Sequence, residues 1–329
     1  MIPGKEIGAL HLSLWFIGKI LASQARETGS IPVRDSIMSR VGTQNRLIFV
    51  EIQNSNREVN NMNKLPGVIK SPYDVRDYRI AASADLPLRF ECTPIVPIKN
   101  QGSKPTCVAH AAASLIEYHN FRQQDEYVQF STDYIYGTRG PLQYIGDGMC
   151  IRDALANLRT FGDCYHEDCP TNSEVKEAMA LVDERREELN EKAYPHRISS
   201  YYLCLTPEQM KTALVKHGPV LISMNTYDGA TIKNDMYTCD TSKDYGKHCV
   251  LVYGYTANGW LVQNSWGPFY AGDGRFILPY DFKINEAWGV TDNIDDPIII
   301  KKNPNPFMNF IYKAYNKIVN FFINLFNKD

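Results

Sequence analysis

Charge of either sign is scarce in net terms in this sequence. Across 329 residues, 35 Lys and Arg nearly balance 37 Asp and Glu, leaving a net charge of −2. That gives no electrostatic case for nucleic acid as a partner. An apolar run that would span a bilayer is missing near the N-terminus as well. The patch at residues 7–21 is too short to cross comfortably and is interrupted by His11 and Lys19. A signal peptide would have a cleaner apolar core and a cationic start, but Glu6 offsets Lys5, so an amphipathic helix is the expectation there. Cysteine is too sparse, at eight, for a disulfide scaffold of this length, and no Asn-x-Ser/Thr sequon occurs. Cys164 and Cys169 are close enough in sequence to leave one local bridge open. The remainder is the composition of a soluble globular protein, 44% hydrophobic and 22% charged, with room for one large or two ordinary domains.

What is present centres on residues 100–113, where a polar loop with Gly102 and Pro105 runs into Cys107 and then into an Ala-rich apolar stretch. Val108, Ala112, Leu115, Ile116 and His119 recur at helical spacing, which predicts a buried helix starting at or just before Cys107. A cysteine there faces unpaired backbone N–H groups and the positive end of the macrodipole, so a stabilised thiolate is expected. Gln101, six residues upstream, can set a side-chain amide beside the Cys107 N–H, giving two donors for a developing oxyanion. A thiolate needs a base, and the base needs an orienting group. Two apolar strands joined by residues 256–259 would carry His248 and Asn264 side by side. His110, one helical turn from Cys107, is the rival base, but it should project along the helix's packing face rather than across a cleft.

With Gln101 six residues before Cys107, His248 sixteen before Asn264, and Asn264-Ser265-Trp266-Gly267 intact, the chain resembles the papain-like cysteine peptidases. The resemblance covers about residues 65–295 and implies an α+β fold of two lobes. It implies that Cys107, His248 and Asn264 are catalytic, that Gln101 lines the oxyanion hole, and that neither a cofactor nor a metal takes part. Gly148, Met149, Cys249 and Trp266 fall at substrate-binding positions. Met149 stands where the family has a second glycine, which alters the expected shape of the adjoining subsite. The usual secreted members carry a cysteine where this chain has Lys104, so Cys150 loses its expected mate. Val108 replaces a tryptophan. Asp74-Val75-Arg76-Asp77-Tyr78 is similar to the short propeptides of the xylellain-like branch, found in bacteria and some large DNA viruses. A reducing intracellular compartment or a virion is therefore favoured over secretion.

The expected organisation is an N-terminal extension at 1–64, a propeptide-like segment at 65–85, a catalytic domain at 86–300, and a helix at 301–329. Residues 54–63 read as linker, and only 46–53 in the extension resembles a strand. Within the catalytic domain, 93–193 reads as helix-rich and 195–300 as strand-rich, as in an α+β enzyme with its cleft between lobes. Thr171 to Glu174 reads as a capping box opening a charged helix through about Lys192, and Thr206 to Gln209 as a second box with Pro207 at the first helical position. In the tail, Asn309, Lys313, Asn316, Asn320, Asn324 and Asn327 form one narrow polar stripe on an otherwise apolar helix. A membrane surface or self-association is the expected partner for it. The expected activity is thiol endopeptidase action on a polypeptide. A binding-only scaffold and acyl transfer other than proteolysis are the alternatives.

Overall fold

From Cys107 the chain runs eighteen residues without glycine or proline and folds as one helix, α1 (Cys107–Gln124). Every side chain from Cys107 to Phe121 is buried, so this helix is a central pillar rather than a surface element. It stops at Asp125, which adopts the left-handed conformation (φ 51°) and returns its N–H to the Phe121 carbonyl at 2.9 Å. A computed structural model describes residues 57–58, 66–139, 147–171 and 174–292, and all of them fall in one unit.

Against α1 lie α2 (Thr132–Gly137) and α3 (Ile151–Thr160), and α4 (Val175–Glu184) and α5 (Arg186–Ala193) share a smaller cluster with α2. The strands are β1 (Arg57–Glu58), β2 (Phe90–Glu91), β3 (Ser200–Leu203), β4 (Val220–Tyr227), β5 (Thr231–Lys233), β6 (Met236–Thr238), β7 (Asp244–Tyr255), β8 (Trp260–Gln263), β9 (Arg275–Leu278) and β10 (Ile284–Thr291). They join in the order β1-β5-β6-β9-β8-β7-β4-β10-β3, with β2 on β7. One more helix, α6 (Pro207–Lys216), packs on the sheet. Apart from β1, β2 and α6, helices precede residue 194 and strands follow residue 199, which is the segregation of an α+β fold.

The core forms where α1 meets the sheet. Val108, Ala112, Leu115, Ile151 and Leu155 share one apolar cluster with Leu251, Trp288 and Val290. Each of the larger side chains stabilises by roughly 1.5–3 kcal/mol when withdrawn from water. A second cluster, with Met210, Leu214, Ile222, Val252, Trp260 and Phe276, fills the space between α6 and the sheet. Helix α1 and the central strands β7 and β4 are thus fixed to each other through side chains that neither element could bury alone.

Three local expectations need correction. Arg57 and Glu58, within the expected linker, pair antiparallel with Thr231 and Ile232 of β5. Backbone pairing at a sheet edge needs no apolar side chains, so composition gave no hint of it. The helix expected from Glu174 to Lys192 is two helices, broken at Arg185 (φ −106°, ψ 19°). Arg185 is tethered by its guanidinium to the Asp168 carbonyl at 2.9 Å and to Glu188. The first of these has Glu174 as N-cap and no side-chain capping bond, while Thr171 instead meets Thr132 Oγ1 at 3.2 Å. The second capping box does form: Thr206 Oγ1 accepts the Gln209 N–H at 3.2 Å. The expected helices near residues 7–21 and 301–329, and the strand at 46–53, lie outside the described residues.

Candidate active site

Thr106 caps α1 without a side-chain hydrogen bond, so the first N–H groups of the helix are left facing Cys107. The loop before it is held from two directions. Lys99 Nζ donates to buried Glu117 on α1 at 2.6 Å, and Glu117 also accepts the Phe130 N–H at 2.9 Å. The same loop crosses to the sheet, where Gln101 N–H bonds Ser265 O at 2.8 Å and Gly267 N–H bonds Lys99 O at 3.0 Å. Those two bonds bring the loop before Cys107 alongside the stretch that carries Asn264 and Trp266. Lys104, at the family's cysteine position, pairs instead with Asp133 of α2 at 3.9 Å, and all eight cysteines are free thiols. An ion pair stands here at the position where the secreted members resembled by the sequence carry a cysteine.

His248 lies on β7 opposite Met224 of β4, and Asn264 directly follows β8. Its Nε2 is 2.8 Å from Asn264 Oδ1, and that same oxygen accepts the Ser265 N–H at 2.8 Å. Two donors on one atom identify it as the amide oxygen, so Nε2 carries the proton. In the neutral ring this leaves Nδ1 as the basic nitrogen, and Nδ1 is buried with no hydrogen-bond partner among the described residues. Trp266 stacks on the imidazole with centroids 4.5 Å apart and planes 25° apart, covering the His–Asn bond. His110, the rival, is spent on its own helix: Nδ1 donates to Thr106 O at 2.9 Å, and burial pushes its pKa down to about 3.

Gln101 is fully buried and fixed at both ends of its amide. Oε1 accepts from Ser265 Oγ at 2.7 Å, and Nε2 donates to Lys104 O at 2.8 Å. Ser265 was invisible as a functional residue in the sequence except as part of the Asn-Ser-Trp-Gly run, and Glu117 gave no signal at all.

Residues 66–79 form a strap across the site. Gly67 O accepts the Met149 N–H at 2.8 Å, Val68 N–H donates to Lys247 O at 3.3 Å, and Ile69 N–H donates to Met149 O at 3.1 Å. Ile69 lies against Gly148, so closely that a Cβ there would fall 2.8 Å from its Cγ1. The Met149 side chain turns into the helical core, and its backbone keeps both bonds that a glycine would make. Arg152 of α3 holds the strap's far half through Pro72 O at 2.8 Å and Asp77 at 3.3 Å. Beyond that, Leu203 N–H reaches Tyr78 O at 2.8 Å, extending the exposed edge of β3.

The strap changes the expected acid–base state. Burial pushes the Cys107 thiol up to about 11, against the opposing pull of the Cys249, Gly67, Val108 and Cys107 N–H groups that face the sulfur. Burial likewise pulls His248 down to about 4, with the Asn264 bond acting the other way. The depressed thiol expected at a helix N-terminus is therefore overridden while the strap is seated. In this state burial disfavours the charged form of both groups.

Residues 82–292 match the family described as "Papain family cysteine protease". The chain belongs to the papain family. Its relatives within that family include a "Probable cysteine protease RD19C" of Arabidopsis thaliana, 25% identical over 236 residues, covering 63% of this chain and 60% of that protein. "Cathepsin C" of Schistosoma mansoni is 24% identical over 303 residues, covering 82% of this chain and 62% of that protein. The matches thus span about three fifths of those relatives' lengths. Among solved structures, xylellain of Xylella fastidiosa aligns over 73% of this chain and 98% of its own, with a TM-score of 0.60 at 21% identity. The procathepsin B of Trypanosoma congolense aligns over 77% and 98%, with a TM-score of 0.57 at 16% identity. These two establish the papain-like fold and no more.

Proposed function

We propose that the chain is a cysteine endopeptidase held inactive by its own residues 65–85, with 86–300 as the catalytic portion. The observation that carries this reading is the strap: a peptide segment already lies in the cleft, gripped through its backbone by Met149 and Lys247 and running over Cys107. A cleft that holds one extended backbone by main-chain bonds is suited to hold another. The strap offers the sulfur the Gly67 N–H rather than a carbonyl carbon, so it occupies the site without being attacked.

With the strap displaced, water and substrate return polarity to the site, and the thiol and imidazole move back toward their ordinary ranges. The Cys107 proton passes to His248 Nδ1, the only ring nitrogen not engaged by Asn264. The thiolate adds to the peptide carbonyl, and the oxyanion is met by the Cys107 N–H and the Gln101 amide that Ser265 holds. The imidazolium gives its proton to the leaving amine, which departs and leaves a thioester on Cys107. Water, deprotonated by His248, then releases the acid and restores the thiol. Asn264 keeps Nδ1 on the sulfur's side throughout, and Trp266 keeps water from competing for the Nε2–H.

Eight free thiols fit residence in a reducing compartment. The polar stripe of the tail fits attachment to a membrane surface or to a second copy. The test of the activity is hydrolysis of quenched-fluorescence peptides by the full-length chain and by Cys107→Ser. Little turnover by either is expected while the strap is seated; once it is loosened, the first should hydrolyse the peptides and the second should not. Equal rates after loosening, or turnover by neither, would overturn the proposal.

A further inference from the structure

One thiol beside the reacting sulfur has no place in the steps above. Cys249 directly follows His248 on β7, opposite Ser223 of β4, and like Cys107 it is fully buried. Its backbone N–H is one of those that face the Cys107 sulfur. A disulfide needs Cα atoms roughly 4.4–6.8 Å apart, and a residue whose N–H points at the other's sulfur is close enough to meet that span. The two side chains enter the same apolar cluster, where α1 meets the sheet. Their thiols lie within electrostatic reach, and Cys107 bears on Cys249 more strongly than Glu286 does. Cys150 shares the cluster, but its sulfur is turned to the strap, toward Lys70 O at 3.9 Å.

We propose that Cys249 is a resolving thiol: when a peroxide oxidises Cys107 with the strap displaced, Cys249 closes a Cys107–Cys249 disulfide that holds the nucleophile in a recoverable form. This rests on the reading above, in which Cys107 is a reactive thiol beneath the strap. The Cys107 thiolate attacks one peroxide oxygen. The S–O bond forms, the O–O bond breaks, and the hydroxide takes the proton held by His248 and leaves as water, so that Cys107 becomes a sulfenic acid. The Cys249 thiol loses its proton and its sulfur attacks that of Cys107. The S–S bond forms, the S–O bond breaks, and the hydroxide takes that proton to leave as a second water. The two sulfurs together lose two electrons and the peroxide gains them. A dithiol reductant reverses the step by exchange. Without Cys249 the sulfenic acid meets further peroxide and becomes a sulfinic acid, which thiols do not reverse.

The experiment treats the full-length chain, with and without Gly67→Ala, with hydrogen peroxide, quenches by alkylation, and maps the unreduced peptides by mass spectrometry. The Gly67→Ala protein is expected to yield a peptide linking Cys107 to Cys249 at least about tenfold faster than wild type, whose strap is held over the site by three backbone bonds. Dithiothreitol should then restore the starting rate of Cys107 alkylation. With Cys249→Ala added, the same dose should carry Cys107 to sulfinic acid, and dithiothreitol should recover less than about a tenth of that protein's own starting rate. Cys150→Ala should leave the linkage in place. Peroxide that links Cys107 to Cys150, links only Cys164 to Cys169, or yields sulfinic Cys107 while Cys249 is present overturns the inference. Should Cys249→Ala fail to fold, the linkage mapped in the chains that keep Cys249 decides. Peptide hydrolysis is read alongside: hydrolysis without the linkage sinks this inference alone, and the linkage without hydrolysis sinks the hydrolytic reading alone.

Discussion

Replacing Gly67 with alanine should open the enzyme. A Cβ on Gly67 would stand 2.1 Å from the Pro105 carbonyl oxygen and 2.6 Å from its carbon. Both are backbone atoms in the loop that leads into α1, so the strap must lift rather than the wall give. Lifting removes the bonds from Met149 N–H to Gly67 O, from Val68 N–H to Lys247 O, and from Ile69 N–H to Met149 O. At a net ~1 kcal/mol each, their loss shifts the closed-to-open balance by about 3 kcal/mol, or roughly a hundredfold. Exposure also removes the burial that holds the Cys107 thiol near 11. A return of two pH units toward its ordinary value raises the thiolate fraction at pH 7 by up to about a hundredfold. The assay is the rate of Cys107 carbamidomethylation at pH 7, mapped by mass spectrometry, with peptide hydrolysis in parallel and a thermal melt to show that the variant is folded. Both rates should rise by one to two orders of magnitude, and the pH midpoint of labelling should fall. A folded Gly67→Ala protein whose Cys107 reacts no faster than wild type would refute the reasoning that the strap seals the site.

Four further outcomes are expected. Asn264→Ala should stay folded and lose less activity than His248→Ala, because Asn264 orients the imidazole and carries no proton; equal losses at equal stability would mean the roles are misassigned. Arg152→Ala removes the contacts to Pro72 and Asp77 and should speed Cys107 labelling, by less than Gly67→Ala because the backbone bonds at Met149 remain. Lys99→Ala removes the cation from Glu117, a fully buried carboxyl that keeps the Phe130 N–H, and should lower unfolding free energy by about 3–5 kcal/mol, read from denaturant melts. Truncation after Lys302 should spare hydrolysis while abolishing liposome co-sedimentation or self-association; unchanged behaviour in both would remove the tail as an anchor.

The parts of the site that were legible in the sequence are those fixed by local geometry. A cysteine opening an Ala-rich helix must lie at that helix's N-terminus, and His248 and Asn264 on strands joined by a short turn must come side by side. Long-range pairs left no such mark. Lys99 meets Glu117, Lys104 meets Asp133 and Ser71 meets Glu286 only because loops and strands from both lobes converge. Sequence spacing also misjudged the thiol. Helix position alone argues for a lowered value, yet burial of the sulfur reverses the direction, against the N–H groups of Cys249, Gly67, Val108 and Cys107. The propeptide-like motif at 74–78 pointed to the segment, but the contact with Cys107 is made by Gly67, upstream of it. The break at Arg185 was hidden for a related reason, since its tether to the Asp168 carbonyl is a tertiary contact on an otherwise continuous helical pattern.

The most direct test of the central claim is to treat the full-length Gly67→Ala chain with an irreversible peptidyl thiol probe and map the adduct. The account predicts a single adduct on Cys107, absent in Cys107→Ser and strongly slowed in His248→Ala. An adduct on any of the other seven cysteines in preference to Cys107, or labelling of Cys107 that is indifferent to His248, would contradict it.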